Sequence, residues 1–348
     1  MNILYGVQST GNGHISRSKV MVRALKSAGH EVSVVLSGRP PEKLWGIEEF
    51  EPYTAYRGLT FITEKGRIKY LKTTGQLNFF RFFRDIHAYS QTRFDLAVID
   101  FEPIAARIAA RLKIPRIGLG HQYAFWYPIP LPRREWVSLA VIRHFAPVDY
   151  PIGLHWHHFD QPILPPILPP IDRTAINTEP NKVLVYLPFE NPDDILRLPT
   201  AFPEFQFFIY HDLPAAQDRD NVHLRPYSRR GFHADLLSCE RIISNAGFAL
   251  GSEALTLGKS LLVHAVRGQL EQEANAFALQ QLGMADTISS LALEPIRGWL
   301  EKPARNEPFD FPNIAPMIVK WLEKGNWENI MELQQTTWKG FRPPAQAT

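Results

Sequence analysis

The sequence has a single cysteine, Cys239, so no disulfide can form within the chain. That scarcity fits a reducing compartment. Long apolar runs are missing too, and none approaches the roughly 18–20 residues that span a bilayer. The opening MNILYGVQSTGNGH turns polar too soon for a secretory signal peptide. Neither sign of charge is in excess: 38 Lys and Arg stand against 35 Asp and Glu. A net charge of +3 leaves no electrostatic footprint for nucleic acid. The expectation is a cytoplasmic protein. Apolar residues, by contrast, make up 45% of the 348, enough for two domains of ordinary size with large cores.

The apolar pattern predicts α/β structure. Asn2 to Val7 reads as a short strand, Gln8 to His14 as a Gly-rich turn, and Ile15 to Ala28 as an amphipathic helix. Glu31 to Leu36 is a β-branched strand, which completes a βαβ unit with parallel strands. A second unit runs through Asp95–Ile99, Pro103–Leu112 and Arg116–Leu119. The stretch QPILPPILPPID at 161–172 is too rich in proline for a helix or a central strand and reads as a stiff linker. The α/β pattern then restarts, with strands at Lys182–Leu187, Phe205–Tyr210 and Val222–Leu224 and a helix at Phe232–Leu237. Helical segments around Ala315–Leu322 and Trp327–Gln335 follow. The expected organisation is two Rossmann-like domains facing a central cleft. Residues 1–165 form the first, 166–180 the linker and 181–320 the second. Residues 321–348 are expected to pack back on the first.

Chemistry concentrates in SNAGFALGSEALTLGKSLLVHAVRGQLEQEAN, residues 244–275. A strand ends in Ser244-Asn245-Ala246-Gly247, a helix carries Glu253, a second strand follows, and Gln269, Glu271 and Gln272 lead into a helix with Asn275. Such strand ends are where open α/β sheets bind ligands. A helix N-terminus suits a phosphate, a carboxylate suits a ribose diol, and amides suit sugar hydroxyls. The expected ligand is a nucleotide carrying a sugar. The bland alternative, a turn followed by a solvated helix, accounts less well for so many polar groups at consecutive strand ends.

Other constellations are weaker. QSTGNGH at 8–14 has Gly11 and Gly13 for a tight turn, with His14 next to a helix. It lacks the Lys-Ser/Thr of a phosphate loop and the third glycine of a dinucleotide fingerprint. Asp100 and Glu102 follow a strand and either serve an acceptor site or cap the next helix. His121 and Gln122 sit at the equivalent place one strand on. His155, His157 and His158 lack a second ligand cluster, so no metal is expected. Asp218-Arg219-Asp220 reads as a solvated turn. Lys65 to Arg84 interleaves basic and aromatic residues. Two readings stay open there: a helix packed on its domain, or a peripheral contact with an anionic membrane face or a lipid-linked acceptor.

The donor stretch, with Ser252-Glu253, Gly258-Lys259 and Glu271-Gln272-x-x-Asn275-Ala276, resembles the donor-site signature of GT-B glycosyltransferases. Within that group the chain is similar to the family of the N-acetylglucosaminyltransferase that completes the lipid-linked peptidoglycan precursor. It looks closer to a separate bacterial and archaeal branch than to that enzyme. Gly11-Asn12-Gly13-His14 is similar to that family's N-terminal turn. The resemblance implies that Glu253 binds the ribose of a UDP-sugar. Glu271 and Gln272 would hold the sugar, supported by Asn275 and Gln269. Ser244, Asn245 and Gly247 would lie at the diphosphate, with Gly11, Asn12 and Gly13 facing it. It also implies metal-independent, inverting transfer without a cofactor, from a nucleotide-sugar to a glycan or lipid-linked acceptor. His14 or Asp100 would be the base, and Glu102, His121 and Gln122 would contact the acceptor. One departure stands out: where the family has a Gly-rich loop, this chain has Leu187-Pro188-Phe189-Glu190-Asn191. Competing expectations are a nucleotide-sugar 2-epimerase and a non-catalytic sugar-nucleotide-binding protein.

Overall fold

The computed structural model describes residues 1–341 except 41, 43, 45, 58–62, 65–66, 69–78, 90–92, 134 and 306. The first domain holds β1 (Asn2–Gln8), α1 (Asn12–Ser27), β2 (Glu31–Ser37), β3 (Tyr53–Tyr56), α2 (Phe79–Ala88), β4 (Leu96–Asp100), α3 (Pro103–Leu112), β5 (Arg116–Gly120), α4 (Trp136–Phe145), β6 (Tyr150–Leu154) and β7 (Ile163–Leu164). Its seven strands lie in the order β3-β2-β1-β4-β5-β6-β7, and every pairing is parallel. A short antiparallel hairpin, 63–64 with 67–68, stands apart from it.

The second domain repeats the plan with β8 (Lys182–Tyr186), α5 (Pro192–Ala201), β9 (Gln206–His211), β10 (Gln217–Arg219), β11 (Val222–Pro226), α6 (Arg229–Ser238), β12 (Arg241–Asn245), α7 (Phe248–Thr256), β13 (Ser260–His264), α8 (Leu270–Gln281), β14 (Asp286–Ile288) and α9 (Leu293–Leu300). The order is β10-β11-β9-β8-β12-β13-β14. Only the edge strand β10 runs antiparallel to its neighbour. Central strands such as β4 and β12 are buried along their whole length, as expected when helices cover both faces of a parallel sheet.

Helix starts follow local chemistry. Glu102 caps α3 by accepting from the backbone N–H groups of Ile104 and Ala105, with Pro103 opening the helix. Asn191 caps α5 in the same way, ahead of Pro192. Helix α1 begins at Asn12, three residues earlier than the apolar pattern suggested, which puts His14 in its first turn.

The proline-rich stretch is built into the fold rather than free. Ile163 and Leu164 pair with Gly153 and Leu154 as the last strand of the first sheet, and Ile167 is buried behind them. The closing helices α10 (Ala315–Lys324) and α11 (Ile330–Thr337) return to the first domain. Glu323 pairs with His30 at 3.1 Å, and Trp338 Nε1 donates to Ile163 O at 2.7 Å. Lys65 to Arg84 lies largely outside the described residues. Within its last turns Phe82 is buried in the core of the first domain. Among the described residues, no helix is long and apolar enough to cross a membrane.

Candidate active site

In each sheet the strand order reverses beside the first strand, between β1 and β4 and between β8 and β12. A crevice opens at the carboxyl ends of strands at such a switch point. The starts of α1 and α7 meet between the two crevices, where a Cβ on Gly13 would come within 2.8 Å of Ala249 Cβ.

On the first domain, His14 Nδ1 lies 2.7 Å from Asp100 Oδ1. Asp100 ends β4 with no exposed surface. It also accepts from Arg17 Nε at 2.7 Å, Arg17 Nη2 at 2.5 Å and Ser18 Oγ at 2.9 Å. Burial by itself would raise the Asp100 carboxyl, but Arg17 and His14 outweigh it and hold the group at about 2. It is a fixed anion that orients His14. It cannot reach an acceptor, which corrects its candidacy as a base. Arg17 was missed from sequence. It sits one turn after His14, and its partner lies 83 residues away.

Glu102 needs a second correction. It has no exposed surface and is spent on Ser37 Oγ and the start of α3, so it is a helix cap rather than an acceptor ligand. Burial pushes its carboxyl up to about 7, although Ser37 and the two N–H groups pull the other way. His121 is a third. Also fully buried, it lies between Leu154 O and Asn275 Oδ1, 2.8 Å from each. Its ring stacks on Phe248 at 4.1 Å. It joins the two domains and presents nothing to an acceptor. Gln122 faces the cleft, where its Nε2 donates to Glu271 Oε2 at 3.1 Å.

On the second domain, β12 ends in Ser244 and Asn245, both buried. Asn245 Nδ2 donates to His264 O at 2.9 Å and to Glu190 Oε1 at 3.2 Å. Ser244 Oγ and Asn245 Oδ1 are buried with no hydrogen-bond partner among the described residues. Such groups call for a ligand or water. Gly247 then opens α7 without a side-chain cap, which leaves its first N–H groups free. Glu253 lines a crevice with Gly13, Ser16, Arg17 and Phe248. Burial pushes its carboxyl up to about 7, and Arg229 offsets this only in part.

The other donor candidates divide. Gln269 sits at the start of α8 without capping it, and Glu271 reaches the cleft. Gln272 and Asn275 are turned inward. Gln272 Oε1 accepts from Val266 N at 3.0 Å, and Asn275 Nδ2 donates to Ala246 O at 3.0 Å. Both brace strand-end loops instead of meeting a sugar. Gly11 takes the capping position of α1. Asn12 Oδ1 accepts from Arg39 Nη2 at 3.2 Å. A Cβ on Gly13 would come within 2.8 Å of Ala249 Cβ, so the starts of α1 and α7 meet where only glycine fits.

The altered loop after β8 is tied down. Glu190 Oε2 lies 3.6 Å from His264 Nε2, and this pairing with His264 is the main cause that lowers its carboxyl. Asn191 in this loop and Arg225 on β11 are both occupied. Asn191 caps α5, and Arg225 Nη2 pairs with Asp218 at 2.8 Å. The histidines after β6 form local contacts: His157 and His158 accept from the backbone of Phe159 and Asp160. Among the described residues, no group of three His, Cys, Asp or Glu side chains could hold a metal.

The fold has many solved relatives. A glycotransferase of kitacinnamycin superposes with a TM-score of 0.63 at 14% identity, covering 98% of this chain and 99% of that one. The glycosyltransferase SsfS6 from Streptomyces sp. SF2575, complexed with thymidine diphosphate, gives 0.61 at 14% identity, with coverage of 93% and 99%. MurG from Acinetobacter baumannii gives 0.54 at 15% identity, again covering 93% and 99%. At such identities the likeness speaks for the fold. No curated protein matches the sequence at a significant level. The family described as glycosyl transferase family 1 matches residues 1–302. The chain therefore belongs to glycosyl transferase family 1 and is a glycosyltransferase of the GT-B fold.

Proposed function

We propose that the protein moves a sugar from a UDP-linked donor, such as UDP-N-acetylglucosamine, to a hydroxyl of a glycan or lipid-linked acceptor, with inversion and without metal or cofactor. In this reading residues 1–165 bind the acceptor and 181–320 the donor. The observation that carries it is His14 held against Asp100 at 2.7 Å, on the wall facing the uncapped start of α7. Nδ1 also lies 2.6 Å from Arg17 Nη2; in the tautomer whose Nδ1–H donates to Asp100, the one this role requires, Nε2 is left to take a proton. The acceptor hydroxyl gives its proton to Nε2, and its oxygen bonds the anomeric carbon. The bond from that carbon to the diphosphate oxygen breaks. Negative charge then grows on the departing diphosphate, where Ser244 Oγ and the free N–H groups of α7 stabilise it.

Glu253 is assigned to the ribose and Glu271 to the sugar, with Gln272 and Asn275 holding their loops. The thymidine diphosphate carried by SsfS6 supports a pyrimidine nucleoside diphosphate as the common part of the donor. A place in the cytoplasm at the inner face of the membrane follows if the acceptor is lipid-linked. Trp136 and Val137 on α4, 70% and 73% exposed, are among the exposed apolar residues that such a contact would use.

Calorimetry with UDP, UDP-N-acetylglucosamine and TDP tests the donor. Glu253→Ala is expected to weaken binding at least tenfold. His14→Ala is expected to keep donor affinity and lose roughly 10²–10⁴ in turnover, the usual worth of a general base. Full turnover in His14→Ala would remove that base. Release of an epimerised sugar without any acceptor would replace transfer by epimerisation.

A further inference from the structure

On the second domain Arg229 acts on Glu253 and Arg267 Nη2 donates to Ser289 O at 3.1 Å, and the loop after β8 itself supplies no cation for a diphosphate. It offers the Glu190 carboxylate, held by Asn245 and His264. Arg225 is taken by Asp218. On the first domain Arg17 is locked onto Asp100. Resting on the nucleotide-sugar reading above, we propose that Arg39, from the first domain, is the cation that grips the donor's diphosphate across the cleft.

The segment that carries Arg39 is built to present it. Ser9 N donates to Ser37 O at 2.7 Å, and Arg39 N donates to Ser9 Oγ at 3.0 Å. Between them Gly38 adopts φ +109°, a conformation open to glycine. It turns the chain back over the Gly-rich loop after β1. There Arg39 Nη2 donates to Thr10 O and Asn12 Oδ1, each at 3.2 Å. Both acceptors are neutral, and among the described residues no carboxylate pairs with this guanidinium. Both bonds use Nη2, so the donors on Nε and Nη1 remain for a ligand. The side chain is half-buried. Burial lowers its pKa. The guanidinium lies over the loop after β1, which leads into Gly13 where the start of α1 meets Ala249 of α7. A planar fork in that place can bind phosphate oxygens in bidentate fashion. It would stand in for the cradle that the loop at 187–191 lacks.

The test is calorimetric binding of uridine and thymidine mono- and diphosphates to the wild type, Arg39→Met and Arg39→Lys, with melting temperatures as a folding check. In the wild type the diphosphate is expected to bind more tightly than the monophosphate. Arg39→Met should shrink that ratio at least tenfold, and Arg39→Lys should keep part of it. A bracing role for Arg39 alone would lower turnover and leave the ratio unchanged, and an unchanged ratio overturns the proposal. If the wild type binds none of these nucleotides, the donor reading itself falls, and the assignment of Arg39 falls with it.

Discussion

Gln122 Nε2 donates to Glu271 Oε2 at 3.1 Å, from one domain to the other. The carboxylate proposed for the sugar hydroxyls is therefore engaged across the cleft. Nearby, Arg133 pairs with Glu273 at 2.9 Å, Trp156 Nε1 donates to Ser252 Oγ at 2.8 Å, and His121 meets Asn275. Contacts between the domains thus run beside the donor site.

The two partners are expected to respond differently when removed. Glu271→Ala deletes a charged acceptor of the sugar, and hydrogen bonds to charged groups contribute about 1.5–3 kcal/mol. Donor KM should then rise by roughly tenfold or more. Gln122→Ala deletes the domain contact and a long 3.4 Å bond from Arg17 Nη2, and should leave donor KM within about threefold. Steady-state kinetics with varied donor decide the matter. Equal rises in both variants would make Glu271 a clasp between domains and no sugar ligand.

The central strands were legible because their runs are mainly apolar, and the donor loops because polar residues cluster where those strands stop; the edge strand β10, Gln217-Asp218-Arg219, has no apolar residue and reads as a solvated turn. Enclosure was not legible. Asp100 and Glu102 are two residues apart after one strand and look alike in sequence. One is fixed by Arg17 and His14, and the other is buried as a cap. Arg17 and Arg39 were invisible for a related reason. A basic residue on an amphipathic helix or in a loop reads as solvated until the fold supplies its surroundings. Gln272 and Asn275 showed the right residue types at the right spacing, but spacing does not tell which way a side chain turns.

That contrast gives stability two opposite pH dependences. The Asp100 carboxyl is depressed to about 2. Its contribution is present above the unfolded value near 3.9 and is lost as pH falls toward 2, a matter of about 2 kcal/mol. The Glu102 carboxyl is raised to about 7. The folded state holds that proton more tightly than the unfolded chain, so stability falls as pH rises from about 4.3 through 7. The loss is about 3 kcal/mol by the same linkage. Glu253 shifts in the same direction. Melting temperatures at pH 5 and pH 7.5 should fall for the wild type and fall less for Glu102→Gln. An identical drop in both proteins would place its source elsewhere.

Gly13 separates domain closure from domain stability. It lies in the first turn of α1, where alanine is intrinsically the better helix former by about 1 kcal/mol. Its missing Cβ would nevertheless stand 2.8 Å from Ala249 Cβ at the start of α7. Neither atom is the end of a flexible side chain, so the added methyl must push the two helix starts apart. Within a rigid core such overpacking costs about 1–3 kcal/mol. At a cleft the strain is relieved by opening. Gly13→Ala is therefore expected to keep or slightly raise the melting temperature. Its radius of gyration by small-angle scattering should increase, and turnover should fall, because His14 retreats from a donor held on α7. Full turnover with an unchanged radius would mean that the cleft works without this close approach.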